Sequence, residues 1–259
     1  MKRARILAAL LFAVPLTAAA AQEEFHWTGK VAAGQAIEIK GVNGDISATG
    51  IGGGDVEVTA LKKGRRSDPA DVKIEVVEHA GGVTICAVYP SDGKPNECAP
   101  GTAGRMNVRD NDVGVSFKVK VPAGVRFVGR TVNGGIEATG LKADAEATTV
   151  NGGVELDSTG TARAVTVNGG ITARLGRADW DGTLSLQTVN GGIDVTMPEG
   201  LSTDVKCSTV NGDISTDFPL TVKGKVARRK LEGTIGSGGR LLEMTTVNGG
   251  IELKKHGGV

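Results

Sequence analysis

The stretch Thr188-Val189-Asn190-Gly191-Gly192-Ile193 decides how this chain is read, because it returns with little change along most of the sequence. Val-Asn-Gly occurs at Asn43, Asn133, Asn151, Asn168, Asn190, Asn211 and Asn248, with separations of 90, 18, 17, 22, 21 and 37 residues. The short spacings lie near the lower end, roughly 20 residues, of the periods that mark stacked arrays, and the longest but one is close to two units. A single unit this short cannot bury a core of its own, so the units must stack.

The repeat extends beyond the tripeptide. Two residues before the Asn stands Thr131, Thr149, Thr166, Thr188, Thr209 or Thr246, with Gly41 in the first copy. Three residues after it stands Ile46, Ile136, Val154, Ile171, Ile193, Ile214 or Ile251. Apolar residues also recur six and four positions before it, as in Ile37 and Ile39, Ala145 and Ala147, Leu184 and Leu186, Val205 and Cys207, and Leu242 and Met244. This alternation is the two-residue period of a strand with one face inward. Each unit therefore reads as strand, Asn-Gly corner, strand.

Two architectures use such a unit. If Asn-Gly is a tight hairpin turn, with positive φ at both residues, the chain is an antiparallel β meander. If it is a bend into the next side of a coil, the chain is a single-stranded parallel β-solenoid, or β-helix, with coils about 4.8 Å apart. A meander needs a turn-former at each turn but does not require the same Thr, Val, Asn, Gly and Ile in unit after unit. Stacking does, because it sets like on like, and stacked Asn amides can hydrogen-bond along the ladder. The expected fold is all-β, a solenoid of about eight coils some 40 Å long, with Asn43, Asn133, Asn151, Asn168, Asn190, Asn211 and Asn248 as its structural ladder. Composition agrees: 40 of the 259 residues are Gly and only 8 are Pro, and no stretch after the N-terminus shows a sustained helical period.

Residues 1–21 read as a signal peptide: Lys2, Arg3 and Arg5 precede an apolar run from Ile6 to Leu16, followed by Ala18, Ala19, Ala20 and Ala21. Cleavage is expected after Ala21, and no Cys follows for lipid attachment. The run is too short to span a bilayer. No transmembrane segment is expected in the mature chain, whose destination is periplasmic or extracellular. Residues 22–65 then read as a first solenoid-like unit. Residues 66–124 read as a β-rich insert or cap, with strands at Val72–Val77, Val83–Val88 and Val115–Val121 and a hairpin turn at His79–Gly82. Residues 125–259 read as the repeat solenoid, ending in Lys254, Lys255 and His256, charges expected to discourage end-to-end stacking.

In an oxidising destination Cys86 and Cys98, twelve residues apart around a turn-rich stretch, are expected to form a disulfide. Cys207 fills an apolar slot of its unit and reads as a buried thiol. No Cys or His spacing suits a metal, since His26, His79 and His256 are scattered, and no cofactor motif is present.

Three further observations carry a resemblance: Ile85-Cys86-Ala87-Val88-Tyr89-Pro90, Val121-Pro122-Ala123-Gly124-Val125, and the repeated Thr-Val-Asn-Gly-Gly-Ile behind a signal peptide. Over roughly residues 30–255 the chain resembles the bacterial putative-adhesin domain family of unknown function. The resemblance implies an exported β-solenoid and supplies no catalytic residue.

Function is narrowed mainly by exclusion. A formal net charge of +1, about −2 once Lys2, Arg3 and Arg5 are removed, lacks the basic excess that nucleic acid requires. The short run Arg228, Arg229 and Lys230 reads as solvated, with an anionic surface as its alternative. A polysaccharide-acting β-helix enzyme would need clustered carboxylates. The paired acids, Asp179 with Asp181 and Asp110 with Asp112, read better as loop and turn chemistry. Aromatics make up 3% of the chain, too few for the stacking platforms that sugars favour. Trp180, in the loop that the 22-residue spacing accommodates, is the candidate surface anchor, against the alternative of a ring tucked over the core. The outward row Glu137, Glu155, Thr172, Asp194, Ser215 and Glu252 makes one face mildly acidic. The expectation is a non-catalytic structural or interaction module whose partner is an unidentified protein or cell-envelope component.

Overall fold

A computed structural model describes residues 21–177, 180, 182–222 and 229–256. The signal-peptide reading of residues 1–20 and the residues Asp179, Asp181 and Arg228 lie outside the described residues. The fold is all-β: a 10-stranded and an 11-stranded sheet face each other across one hydrophobic core, and most strand pairs are parallel. Each Val-Asn-Gly unit gives one strand to each sheet and turns between them at its Asn-Gly corner. In the Asn151 coil, Ala145–Thr148 lies in one sheet and Val154–Ser158 in the other. The solenoid is the architecture found, not the meander. Successive Asn residues are joined by parallel bridges, and Asp110 is the one non-glycine residue with positive φ among the described residues.

The alternation read from sequence places the core. Ile136, Ala138, Val154, Leu156, Ile171, Ala173, Ile193 and Val195 line one inner face, and Phe127, Ala145, Ala147, Ala162, Ala164, Leu184 and Leu186 the other, all buried. Small Ala on one sheet meets branched Ile and Leu on the other, so the coil stays narrow with its interior filled by buried side chains. Ile171, 1% exposed, illustrates the scale: burying such a side chain contributes about 1.5–3 kcal/mol. The recurring Thr points inward, from 1% exposed at Thr149 to 5% at Thr131, while the Val beside it points out. Each buried hydroxyl donates to the carbonyl of a glycine one coil away, as Thr166 Oγ1 does to Gly152 O at 2.8 Å and Thr188 Oγ1 to Gly169 O at 2.8 Å. A polar side chain is tolerated in the core because the stack itself supplies its partner.

The order of coils in the stack departs from the order in the chain at both ends. The Asn43 coil (Ala36–Lys40 and Ile46–Ile51) lies between the Asn133 coil (Arg126–Arg130 and Ile136–Leu141) and a coil built from Gly82–Val88 and Gly114–Pro122, parallel to both. The Asn248 coil (Leu241–Thr245 and Ile251–Lys255) likewise lies between the Asn190 coil (Thr183–Gln187 and Ile193–Met197) and the Asn211 coil (Thr203–Ser208 and Ile214–Thr216). Lys254, Lys255 and His256 therefore do not close the stack. That place is taken by the Asn211 coil together with Leu220–Val222 and Lys230–Ile235, the latter antiparallel to Thr203–Ser208. At the other end Ala21–Gly29 and Val56–Gly64 extend one sheet in antiparallel fashion, and Lys73–His79 extends the other through the hairpin at His79–Gly82. Antiparallel strands thus cover both sheets at the first end, where an open parallel coil would expose a pairing edge, and one sheet at the other, where Ile214–Thr216 is the last described strand of its sheet.

The glycines of the corner play two different parts. A Cβ on Gly169 would overlap the carbonyl of Gly152 one coil away, and the same backbone-on-backbone approach recurs at Gly134, Gly152 and Gly212, none of which has a left-handed φ. The first glycine is thus required by the closeness of stacked corners. The second is not: a Cβ on Gly170 would meet Gly192 O at 3.5 Å, ordinary contact, and Asp45 and Asp213 occupy the equivalent position. We expect Gly169→Ala to lower unfolding stability by about 1–3 kcal/mol through overpacking, with Gly170→Ala nearly neutral, as read from denaturant midpoints. Equal effects of the two would contradict this account of the corner.

Candidate functional site

Three surface features are built by the stack. The first is the corner edge. The Asn side chains form an unbroken amide ladder: Asn133 Nδ2 donates to Asn43 Oδ1 at 2.8 Å, Asn151 to Asn133 at 2.8 Å, Asn168 to Asn151 at 2.8 Å, and Asn190 to Asn168 at 2.8 Å. It continues with Asn248 to Asn190 at 2.7 Å and Asn211 to Asn248 at 2.8 Å. Beside the amides runs a row of exposed valines, Val132, Val150, Val167, Val189, Val247 and Val210, from 37% to 53% exposed. The next outward column holds Thr148, Val165, Gln187, Thr245 and Ser208, so this side of the rod is flat, regularly spaced and uncharged over its middle coils.

The second feature is a charged clasp around the disulfide loop. Cys86 and Cys98 are bonded. Glu38, 4% exposed, accepts from Thr84 Oγ1 at 2.9 Å, from Gly101 N at 2.8 Å and from Arg130 Nε at 3.0 Å, and Arg130 Nη2 reaches Glu146 at 2.7 Å. Lys40 Nζ donates to the carbonyls of Ala99, Gly101 and Ala103 at 2.7, 3.0 and 2.8 Å. Burial lowers the Lys40 pKa, and the neighbouring Glu38 carboxylate opposes that shift. Tyr89, buried at the root of the loop, donates to Val113 O at 2.8 Å, and burial pushes its phenol up to about 12. The clasp was not read from sequence. Its only signal is that Glu38, Arg130 and Glu146 stand on the outward parity of neighbouring coils, and Glu38 meets Arg130 only because the Asn43 and Asn133 coils are adjacent.

The third feature is the acidic face. Glu137, Glu155, Thr172, Asp194 and Ser215 project outward and Glu252 is half-buried. A shallow groove of about 440 Å³ runs along it past Asp45, Glu137, Glu155 and Thr172. Asp194 and Glu252 are register partners in adjacent coils, with Lys254 2.8 Å from Glu252 and 4.0 Å from Asp194. Burial raises the Asp194 pKa, helped by its hydrogen bond with Glu252, while Lys254 holds Glu252 below the usual carboxylate range. The sequence places Asn211 next after Asn190, so it gave no sign that this pair would meet.

The remaining sequence candidates have structural surroundings. Asp112 accepts from the backbone N–H of Ser67 at 2.9 Å, and those amide donors, Ser67 first and then Arg66, hold its carboxyl near 2. It pins one loop to another, and Asp110 sits in a left-handed turn with φ 48°. Trp180 does not stand out as an exposed anchor: it is 6% exposed, belongs to the core, and donates Nε1 to Leu241 O at 3.3 Å. Its indole is packed into the hydrophobic core, where a large ring gains most. Cys207 is a buried free thiol whose pKa burial pushes up to about 12. Among the described residues no group of three or more His, Cys, Asp or Glu is placed to hold a metal ion.

Two predictions follow from these sites. A folded-state pKa raised at Asp194 means the native chain holds that proton more tightly than the unfolded chain, so stability is lost as pH rises through the raised value. Asp194→Asn does not titrate and should raise the melting temperature at pH 7 relative to the unaltered chain, with the advantage gone at pH 3. Removing the disulfide with Cys86→Ser and Cys98→Ser should cost about 3 kcal/mol, the chain-entropy value for a loop of this size, as measured by urea unfolding.

The profile of the family described as Toastrack DUF4097 matches residues 28–254. No curated protein matches the chain. Among solved structures, it is similar to a putative cell adhesion protein from Clostridium sporogenes, with 10% identity, 91% of this chain and 100% of the other covered, and a TM-score of 0.47. It is also similar to a putative adhesin from Bacteroides fragilis, with 12% identity, 90% and 97% covered, and a TM-score of 0.32. A third is a putative lipid binding protein from Parabacteroides distasonis, with 9% identity, 92% and 97% covered, and a TM-score of 0.29. Likenesses this remote say nothing of what this chain binds. The family match spans nearly the whole stack, from the strand before the first coil to the last residues of the Asn248 coil, and the chain belongs to the Toastrack DUF4097 family.

Proposed function

We propose that this protein is an exported, non-catalytic structural or interaction module that meets a protein or another cell-envelope component through the flat sides of its rod. The observation that carries this reading is the outer surface. Its side chains recur one coil apart in straight columns, and the valine row is exposed along the corner edge. A ladder fixed at every coil holds such columns rigid, so contact with a partner orders little that is not already ordered. The disulfide supports an oxidising destination, as does the resemblance of residues 1–21 to a signal peptide. Cell fractionation, followed by crosslinking in intact envelopes, tests the reading. The chain is expected in the periplasmic or outer fraction with a reproducible crosslinked neighbour, and a cytoplasmic location with reduced Cys86 and Cys98 would overturn it.

A second reading, a polysaccharide-acting β-helix enzyme, has one observation in its favour: the groove that gathers Asp45, Glu137 and Glu155. Against it, Glu137 and Glu155 are both exposed at equivalent positions of one face, without the apolar enclosure that sets a catalytic acid apart. The Asp194 and Glu252 pair is better differentiated but is tied by Lys254. Reducing-end or unsaturated-product assays on acidic and neutral polysaccharides should give no turnover. Turnover lost in Glu137→Gln and Glu155→Gln would replace the first reading with this one.

A further inference from the structure

The Asn248 coil, which follows every other repeat unit in the chain, occupies an internal place in the stack. After Met197 the chain runs through Pro198–Ser202, residues 198–202, and resumes at Thr203–Ser208, two coil heights away, about 10 Å. The space so left is filled by residues 241–255, which arrive only after the Asn211 coil and its antiparallel cap have been traced. Every bond that seats the late coil is of the kind found throughout the array. Asn248 Nδ2 donates to Asn190 Oδ1, Thr246 Oγ1 to Gly191 O at 2.9 Å, and Gly191 N to Asn248 O at 2.9 Å. On its other side Asn211 Nδ2 donates to Asn248 Oδ1, Thr209 Oγ1 to Gly249 O at 2.8 Å, and Gly249 N to Asn211 O at 2.9 Å. Leu242, Met244, Ile251 and Leu253 complete the core between the two flanking coils.

We infer that this slot is an exchange site between two copies of the chain, in which residues 241–256 of one copy seat between the Asn190 and Asn211 coils of the other. Three observations carry this. The slot recognises the coil through ladder bonds and core side chains that are identical whether the coil arrives in cis or in trans. The coil follows both of its flanking coils along the chain, so the slot stands unfilled, with two unpaired coil edges, until it is made. The connection into it, Gly236-Ser237-Gly238-Gly239-Arg240, has positive φ at all three glycines and crosses the end of Thr203–Ser208, where Asp204 N donates to Arg240 O at 2.8 Å. With glycine at three of its five positions, this connection can open or fold back at little steric cost, so exchange with a second copy needs no strained bend. Reciprocal exchange leaves no slot empty and closes at two copies by two-fold symmetry. The Asn43 coil, though similarly flanked, precedes both of its neighbours in the chain, and they form around it.

The register supplies the test. Asp194 and Glu252 face each other across the boundary of the slot. In the full-length chain carrying Asp194→Cys, Glu252→Cys and Cys207→Ala, refolding from denaturant followed by oxidation is expected to give a 194–252 disulfide between copies. The product has twice the monomer mass on non-reducing gels, and its fraction should rise with protein concentration. A 194–252 disulfide confined within single chains, including within any dimer, overturns the inference. Should that variant fail to fold or to crosslink, the unaltered chain decides. Tagged and untagged copies refolded together should give mixed dimers, while the same copies mixed after folding should give none. Mixed dimers forming equally by simple mixing, or monomers alone at every concentration, overturn it.

Discussion

The in-register contact between one Thr-Val-Asn-Gly corner and the next is the interaction on which the rest of the structure depends. At each step an Asn amide, a Thr hydroxyl and a glycine N–H all bond to the neighbouring coil. Each such bond contributes about 1 kcal/mol net. Together they leave a coil one way to sit. They also account for the composition of the repeat: Thr because its hydroxyl is buried, Asn because its amide both donates and accepts along the axis, and Gly because backbones meet where a Cβ would stand. Val follows from parity, since the position between an inward Thr and the corner can only face water.

Translational order of this kind has a cost at its ends. A parallel coil exposes unpaired backbone to any similar edge, and the chain meets that hazard twice in the same way. It places the Asn43 and Asn248 units one step inside the stack, and it adds antiparallel strands to both sheets at one end and to one sheet at the other. The disulfide and the clasp of Glu38, Arg130 and Lys40 secure the loop that this arrangement throws out at one end. Trp180 and Phe218 are both buried in the core.

The same order explains why the fold says more about mechanics than about chemistry. Acid, base and nucleophile must differ from one another in environment, and a repeated surface gives neighbouring side chains nearly the same environment. Departures occur where the coil order is broken, as at Asp194 and Glu252, or where the end loop is anchored, as at Lys40. Family membership establishes the scaffold, and function depends on what has been placed on it.

Much of the molecule was legible in the letters. The alternation about each Asn identified the inward Ile, Leu and Ala, because a two-residue period is a local property of a strand. The identity of the corners distinguished stacked coils from hairpins, since only stacking needs like beside like. The burial of Trp180 was left open, because an aromatic in an inserted loop has no period to place it. Coil order was not legible at all. Any Thr-Val-Asn-Gly coil fits above any other through the same bonds, so the sequence determines the shape and facing of each unit but carries no label for its neighbour. Only the closing of the tertiary structure, with one core to fill and two ends to cover, decided that the last unit should lie between Asn190 and Asn211, and with it which charges meet on the surface.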